Sequence, residues 1–170
     1  MNIELVLFGA FALLTLLSAG LVIFARSPIS SAMSLVATFF FLAGIYVLLW
    51  AHTVAVLQVL VYAGAIMVLF LFVIMLLNLG ETSSSGPRMT ISRIAGGAAA
   101  AGLLVVLVMA IWRMPTTGTF TGAQAVQSGF GTLAVIGQTI YTKWLLPFEA
   151  VSLLLLVGMV GAVVVAKSRI

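Results

Sequence analysis

Cysteine and aspartate are both absent from these 170 residues. Without cysteine there is no disulfide, no thiolate cluster and no thiol nucleophile. Histidine occurs once, as His52, and the carboxylates are Glu4, Glu81 and Glu149. A metal site built from protein ligands therefore has almost nothing to draw on, and none is expected. Charge is scarce as well: 6% of residues are charged, against 64% hydrophobic. A soluble domain needs about a quarter of its residues charged, so this is an integral membrane protein. The net charge of +4 is too modest to suggest nucleic acid, and basic residues in such a chain set topology instead. No nucleophile–base pair, phosphate loop, heptad or internal repeat is present, so no catalytic residue is expected on this chain.

What is there is apolar sequence in long runs. Five are long enough to cross a bilayer, at about 4–24, 29–50, 54–77, 92–112 and 147–166, since ~20 apolar residues suffice. The expected fold is all-α, one membrane domain over residues 1–170 with five spans. The first run is too long for a signal-peptide core and has no basic segment before it, so it reads as a retained helix. Arg26-Ser27-Pro28 is a tight turn, with Ser27 placed to cap and Pro28 to open the second span. Ala51-His52-Thr53 joins the second and third spans as antiparallel neighbours. Asn78-Leu79-Gly80 closes the third, and Glu81–Arg88 is a polar loop. The connection 113–146 is the longest, and Leu133, Ile136 and Ile140 have the spacing of a short surface helix. Arg26, Arg88, Arg93, Lys167 and Arg169 fall on one side of a five-span layout, Arg113 and Lys143 on the other. The positive-inside rule puts the C-terminus in the cytoplasm and the N-terminus outside. Trp50, Trp112 and Trp144 then all sit at outer span ends, where an aromatic belt belongs.

The third span is unlike the others. It carries Gln58 and Tyr62, four apart and so on one helix face, then Ala63-Gly64-Ala65. Two readings stand for the polar pair: a strip that conducts or gates protons, or side chains that only hydrogen-bond a neighbouring helix. An amide and a phenol are both neutral at ordinary pH, so the pair can relay protons only through water. Gly64 at mid-helix weakens the α-helix by ~1 kcal/mol relative to alanine and makes a π-bulge cheaper; close packing alone is the other reading. Ser27, Ser31, Ser34 and Thr38 form a hydroxyl stripe expected to bind another helix more than its own i−4 carbonyls. The Gly/Ala run 96–102 and the Gly158/Ala162 pair mark packing faces that point to partner subunits. Glu149, after Pro147, is expected in the first turn of the last span, as a simple N-terminal charge or as an outer-side acid.

The segment from Gln58 through Tyr62, Gly64, Met67, Phe70 and Met75 to Asn78 and Gly80 closely resembles helix three of subunit J of bacterial NADH:quinone oxidoreductase, respiratory complex I. The mitochondrial counterpart is NADH dehydrogenase subunit 6. Tyr141-Thr142-Lys143-Trp144-Leu145-Leu146-Pro147-Phe148-Glu149 resembles the approach to that family's last helix, and Arg26-Ser27-Pro28 its first turn more loosely. The resemblance implies a π-bulge near Tyr62–Gly64 that forms and straightens. It implies a part in proton translocation, with helix three opening or closing a water path between the quinone-site region and the proton-conducting axis of neighbouring subunits. Gln58, Tyr62, Met67 and Phe70 would line or gate that path, and Ala63, Gly64 and Ala65 would form the hinge. Some relatives have an acid at the position of Gln58; here it is neutral, so direct proton carriage is not expected at that point. Partners would be the quinone-site subunit, the small subunit and the antiporter-like subunits, in a bacterial cell membrane more than an organellar one. FMN, iron–sulfur clusters and quinone would belong to the parent complex, with no cofactor on this chain.

Two alternatives stay open. The chain could be a purely structural staple of that complex, or the equivalent subunit of a cation/proton antiporter complex or a membrane-bound hydrogenase.

Overall fold

Every described element is a helix, and the order follows the apolar runs. The computed structural model describes residues 3–77, 91–113 and 129–167. Helix α1 spans Ile3–Phe24 and α2 spans Pro28–Leu48. Helix α3 runs His52–Leu76 and α4 Ile91–Arg113. A short α5, Leu133–Lys143, leads into α6, Leu145–Ala166. Five of these are long and apolar enough to cross a membrane. The Asn78–Gly80 cap and the Glu81–Arg88 loop lie outside the described residues.

Local chemistry sets the first turn. Ser27 has extended backbone and its hydroxyl accepts from the Ser30 N–H at 3.1 Å, while Pro28 opens α2. Proline suits that position because its missing N–H would have had no helical partner. The far end of α2 closes differently. The Ala51 N–H bonds the Tyr46 carbonyl and the Trp50 N–H bonds that of Val47, the paired bonds of a Schellman motif. Trp50 takes the left-handed residue of that motif, at φ 61°, where glycine is usual.

Helices α1, α2 and α3 pack together. The hydroxyl stripe divides its work. Ser31 donates to the Val22 carbonyl of α1 at 2.6 Å and Thr38 to Ser18 Oγ at 3.1 Å, both between helices. Ser34 donates to the Ser30 carbonyl of its own helix, and Thr38 is also within bonding distance of the Ser34 carbonyl. Ser27 is spent on its cap. Gly44 lets α1 approach: a Cβ there would lie 2.6 Å from Phe11 Cε1. Gly44→Leu should therefore push the Phe11 ring aside and cost about 1–3 kcal/mol in overpacking. A lowered melting temperature of the detergent-solubilised protein, recovered by adding Phe11→Ala, would show it.

Helices α4 and α6 are different. From Gly96 onward no residue of α4 is buried, and none of α6 is. The small-residue runs at 96–102 and at Gly158 are open, with nothing near a built Cβ at any of their glycines. Helix α6 touches α5 through Tyr141 and Phe148, whose rings meet edge-on at 5.2 Å. It begins at Leu145, two residues before Pro147. Glu149 therefore lies beyond the first turn, not within it as its place after proline suggests. Proline as the third helical residue costs little because its nitrogen falls among the four N–H positions that have no helical acceptor.

Candidate functional site

Helix α3 changes its winding along its length. It is α-helical over His52–Leu57, π-helical over Gln58–Ile66 and α-helical again over Met67–Leu76. The π stretch closes where the Met67 N–H meets the carbonyls of Gly64 and Tyr62. The bond to Tyr62 spans five residues, the π spacing. Ala63, Gly64 and Ala65 sit inside this stretch. Glycine fits there because a Cβ at residue 64 would lie 3.3 Å from the Val59 carbonyl oxygen, five residues back. Any other side chain crowds the oxygen around which the widened turn is built.

The wider turn decides which residues face α2. Four residues of α3 are buried: Ala55, Gln58, Met67 and Ile74. Gln58 and Met67 are nine residues apart, about two and a half turns at 3.6 residues per turn, so a regular α-helix would set them on opposite faces. Turns closed by five-residue bonds hold more residues each, and nine then come close to two turns. The π stretch thus keeps Gln58 and Met67 on one side. Beyond it the α period resumes, and Met67 joins Ala32 and Ile74 in a buried cluster flanked by Leu35, Val36, Phe39 and Leu71.

The residues singled out in the sequence are not all brought together. Gln58 is 7% exposed and Met67 3%, whereas Tyr62 and Phe70 are each 48% exposed. The Tyr62 ring stands edge-on to Phe39 of α2, centroids 5.8 Å apart, so Tyr62 flanks the α2 contact, while Phe70 lies outside the buried cluster. The Gln58 amide bonds no described residue. Among the described residues no buried side-chain polar atom is sealed off without a partner, so this amide keeps access to whatever lies beside the chain. Glu149 is exposed on α6, and its carbonyl accepts from Ser152 Oγ at 2.7 Å. Its helix packs against α5, away from the α2–α3 contact. Among the described residues no group of three His, Cys, Asp or Glu could hold a metal.

The structure adds partners that spacing alone does not reveal. Phe39 and Ala32 belong to the site because they receive Tyr62 and Met67. Thr53, at the start of α3, binds the Gly131 carbonyl twice, through its N–H at 3.0 Å and its hydroxyl at 2.7 Å. An apolar groove of about 580 Å³ opens along the first half of α3, between Phe11, Phe40, Ala43, Val47, Val56 and Leu60, with His52 at its end. The ring of His52 meets that of Trp50 edge-on at 5.8 Å.

Comparison with known proteins agrees with this architecture. Residues 18–165 match the family model of NADH-ubiquinone/plastoquinone oxidoreductase chain 6. The chain is 46% identical over 147 residues to the chloroplast NAD(P)H-quinone oxidoreductase subunit 6 of Nephroselmis olivacea, covering 86% of this chain and 82% of that one. It is 38% identical over 164 residues to subunit 6 of the organellar chromatophore of Paulinella chromatophora, covering 96% and 78%. It is 30% identical over 165 residues to NADH-quinone oxidoreductase subunit J of Rhodobacter capsulatus, covering 96% and 81%. With most of its length matched and its third span π-helical as the resemblance implied, the chain belongs to the NADH-ubiquinone/plastoquinone oxidoreductase chain 6 family and is a membrane subunit of an NADH-quinone oxidoreductase complex.

Proposed function

We propose that this subunit couples quinone reduction to proton translocation by gating a water path with α3. The observation that carries the reading is the placement of Gln58 and Met67 on one face across nine residues, which only the widened winding allows. Removing one residue's worth of winding turns the second half of α3 by ~100°. Met67 would then leave the α2 cluster and Phe70 would sweep to a new position. An apolar side chain entering a narrow hydrated gap breaks a water wire, as hydrophobic constrictions do in channels. The Gln58 amide, buried yet bonded to no described residue, can hold one end of such a wire. No carboxylate or histidine lies within the described part of α3 beyond His52 at its start, so the helix suits a gate better than a proton carrier.

The same reading places the rest of the complex elsewhere. Iron–sulfur clusters need thiolate ligands and this sequence has none, so they would sit, with FMN and the quinone chemistry, on other subunits. The open faces of α4 and α6 suit packing against membrane-arm neighbours: the quinone-site, small and antiporter-like subunits. The basic residues favour an outer N-terminus and a cytoplasmic C-terminus. The relatives come from a bacterium and from organelles; a bacterial cell membrane remains our proposal for this chain.

The test is Gly64→Leu in the assembled complex. Its Cβ crowds the Val59 carbonyl and shifts α3 towards one winding. Quinone reductase activity and proton transport should both fall by about tenfold, the effect of ~1.4 kcal/mol on a barrier. Normal rates at normal assembly would sink the gate. Poor assembly with normal activity per assembled complex would favour a staple.

A further inference from the structure

The α2–α3 turn and the segment Gly129–Thr132 lie far apart in sequence and are fastened together. Ala51, the residue before α3, supplies no side-chain cap. The carbonyl of Gly131 does that work instead, accepting from both the N–H and the hydroxyl of Thr53. Gly131 has φ +75°, and a Cβ on it would collide with the Trp50 carbonyl oxygen and lie 3.0 Å from Ala51 Cα. Gly129 is also left-handed, at φ +62°, and the Thr132 N–H and hydroxyl both close onto its carbonyl, at 3.2 and 2.7 Å. The turn is therefore shaped to bring one bare backbone carbonyl against the first residues of α3. It meets them where Trp50 holds its own left-handed conformation.

We propose that Gly131 and Thr53 form a clamp that fixes the first turn of α3, so that any change of winding in the π stretch is delivered entirely to the second half of the helix. The proposal rests on the gating reading above. A bulge that forms or straightens rotates one end of a helix against the other, and the end that moves is the one less held. Two directional hydrogen bonds and the contact at Trp50 fix the first end of α3. The second half is held by apolar side-chain packing at Met67 and Ile74, which a rotation can exchange for other apolar contacts. Gly131 and Thr53 are thus positioning residues: they touch no proton path, but they direct the rotation to Met67 and Phe70.

The test uses the intact complex with other reactive cysteines removed, and spin labels on Val56→Cys or Val73→Cys, in the first and second halves of α3. Resting enzyme is compared with enzyme turning over quinone. The clamp predicts a label at 73 that changes environment on turnover and a label at 56 that does not. With Thr53→Val or Gly131→Ala, the label at 56 should begin to move, and protons moved per quinone reduced should fall at least about threefold. Thr53→Ser, which keeps the hydroxyl, should behave as the parent. Thr53→Val removes one bond only and serves where Gly131→Ala does not assemble. A label at 56 that moves in the unaltered subunit overturns the clamp, as does an unchanged proton ratio in Thr53→Val. If neither label moves, the gating reading itself falls, and the clamp with it.

Discussion

Cysteines introduced at Ala32 and Met67 and joined across α2 and α3 should stop turnover in the assembled complex, and reduction should restore it. Both side chains are 3% exposed and lie in one buried cluster. They meet only because the π stretch turns the second half of α3 towards α2. A bridge between them therefore holds the bulged winding and forbids the straight one. If turnover needs both windings, a locked complex has one conformation and no cycle. Quinone reductase activity should drop by more than about tenfold, equivalent to over ~1.4 kcal/mol on the limiting step. The parent chain contains no cysteine, so no native thiol of this subunit competes for the bridge. A short bis-maleimide serves if the spacing is too long for a disulfide, whose Cβ atoms must approach to ~3.5–4.5 Å. The double variant kept reduced controls for the smaller side chain at 67. Full activity in a completely cross-linked sample, with the bridge verified by peptide mass, would show that α3 works in one winding.

How far the sequence anticipates all this depends on the range of the contacts involved. The five long helices, the Ser27–Pro28 start of α2 and the short surface helix at Leu133 are local matters of hydropathy, capping and period, and they are legible in the chain. Gly64 among small residues allows a bulge or close packing alike; the resemblance to subunit J is what implies the bulge, and a π stretch stands there. Its consequence for the faces was not legible. Counting in fours from Gln58 leads to Tyr62, yet the residue that shares the buried face across the π stretch is Met67. Periodicity assumes a constant turn, and here the turn widens. The Thr53–Gly131 bond joins residues 78 apart, and no local pattern announces it. The short connection at Ala51 is legible, but Trp50 in its left-handed turn is not, because it runs against the residue preference of that position. Glu149 shows a smaller difference: its place after Pro147 suggests the first turn, yet Pro147 is the third helical residue and not the first.

Met67→Ala should be the most damaging single truncation in α3, and Phe70→Ala close to harmless for stability. Met67 is 3% exposed within the cluster of Ala32 and Ile74, while Phe70 is 48% exposed. Emptying a buried methionine site costs about 2–5 kcal/mol in a well-packed core. In a bilayer the loss is mainly of packing contacts, since lipid is as apolar as the protein interior. A straightened α3 would carry Met67 off this face, so on the proposed gating the loss of these contacts also biases α3 towards the straight form. A bias of about 2 kcal/mol changes such a ratio roughly thirtyfold, at 1.4 kcal/mol per factor of ten. Met67→Ala should thus lower both the melting temperature of the complex and its protons moved per quinone. Met67→Leu conserves most of the volume and should cost less than about 1.5 kcal/mol, leaving the proton ratio near normal. Phe70→Ala should leave the melting temperature nearly unchanged; on the proposed gating it should still alter proton movement, because the proposal assigns Phe70 a role through where it swings and not through where it rests. Equal losses of stability at 67 and 70 would contradict the face assignment. A normal proton ratio in Met67→Ala would mean that the α2 contact has no part in setting the winding.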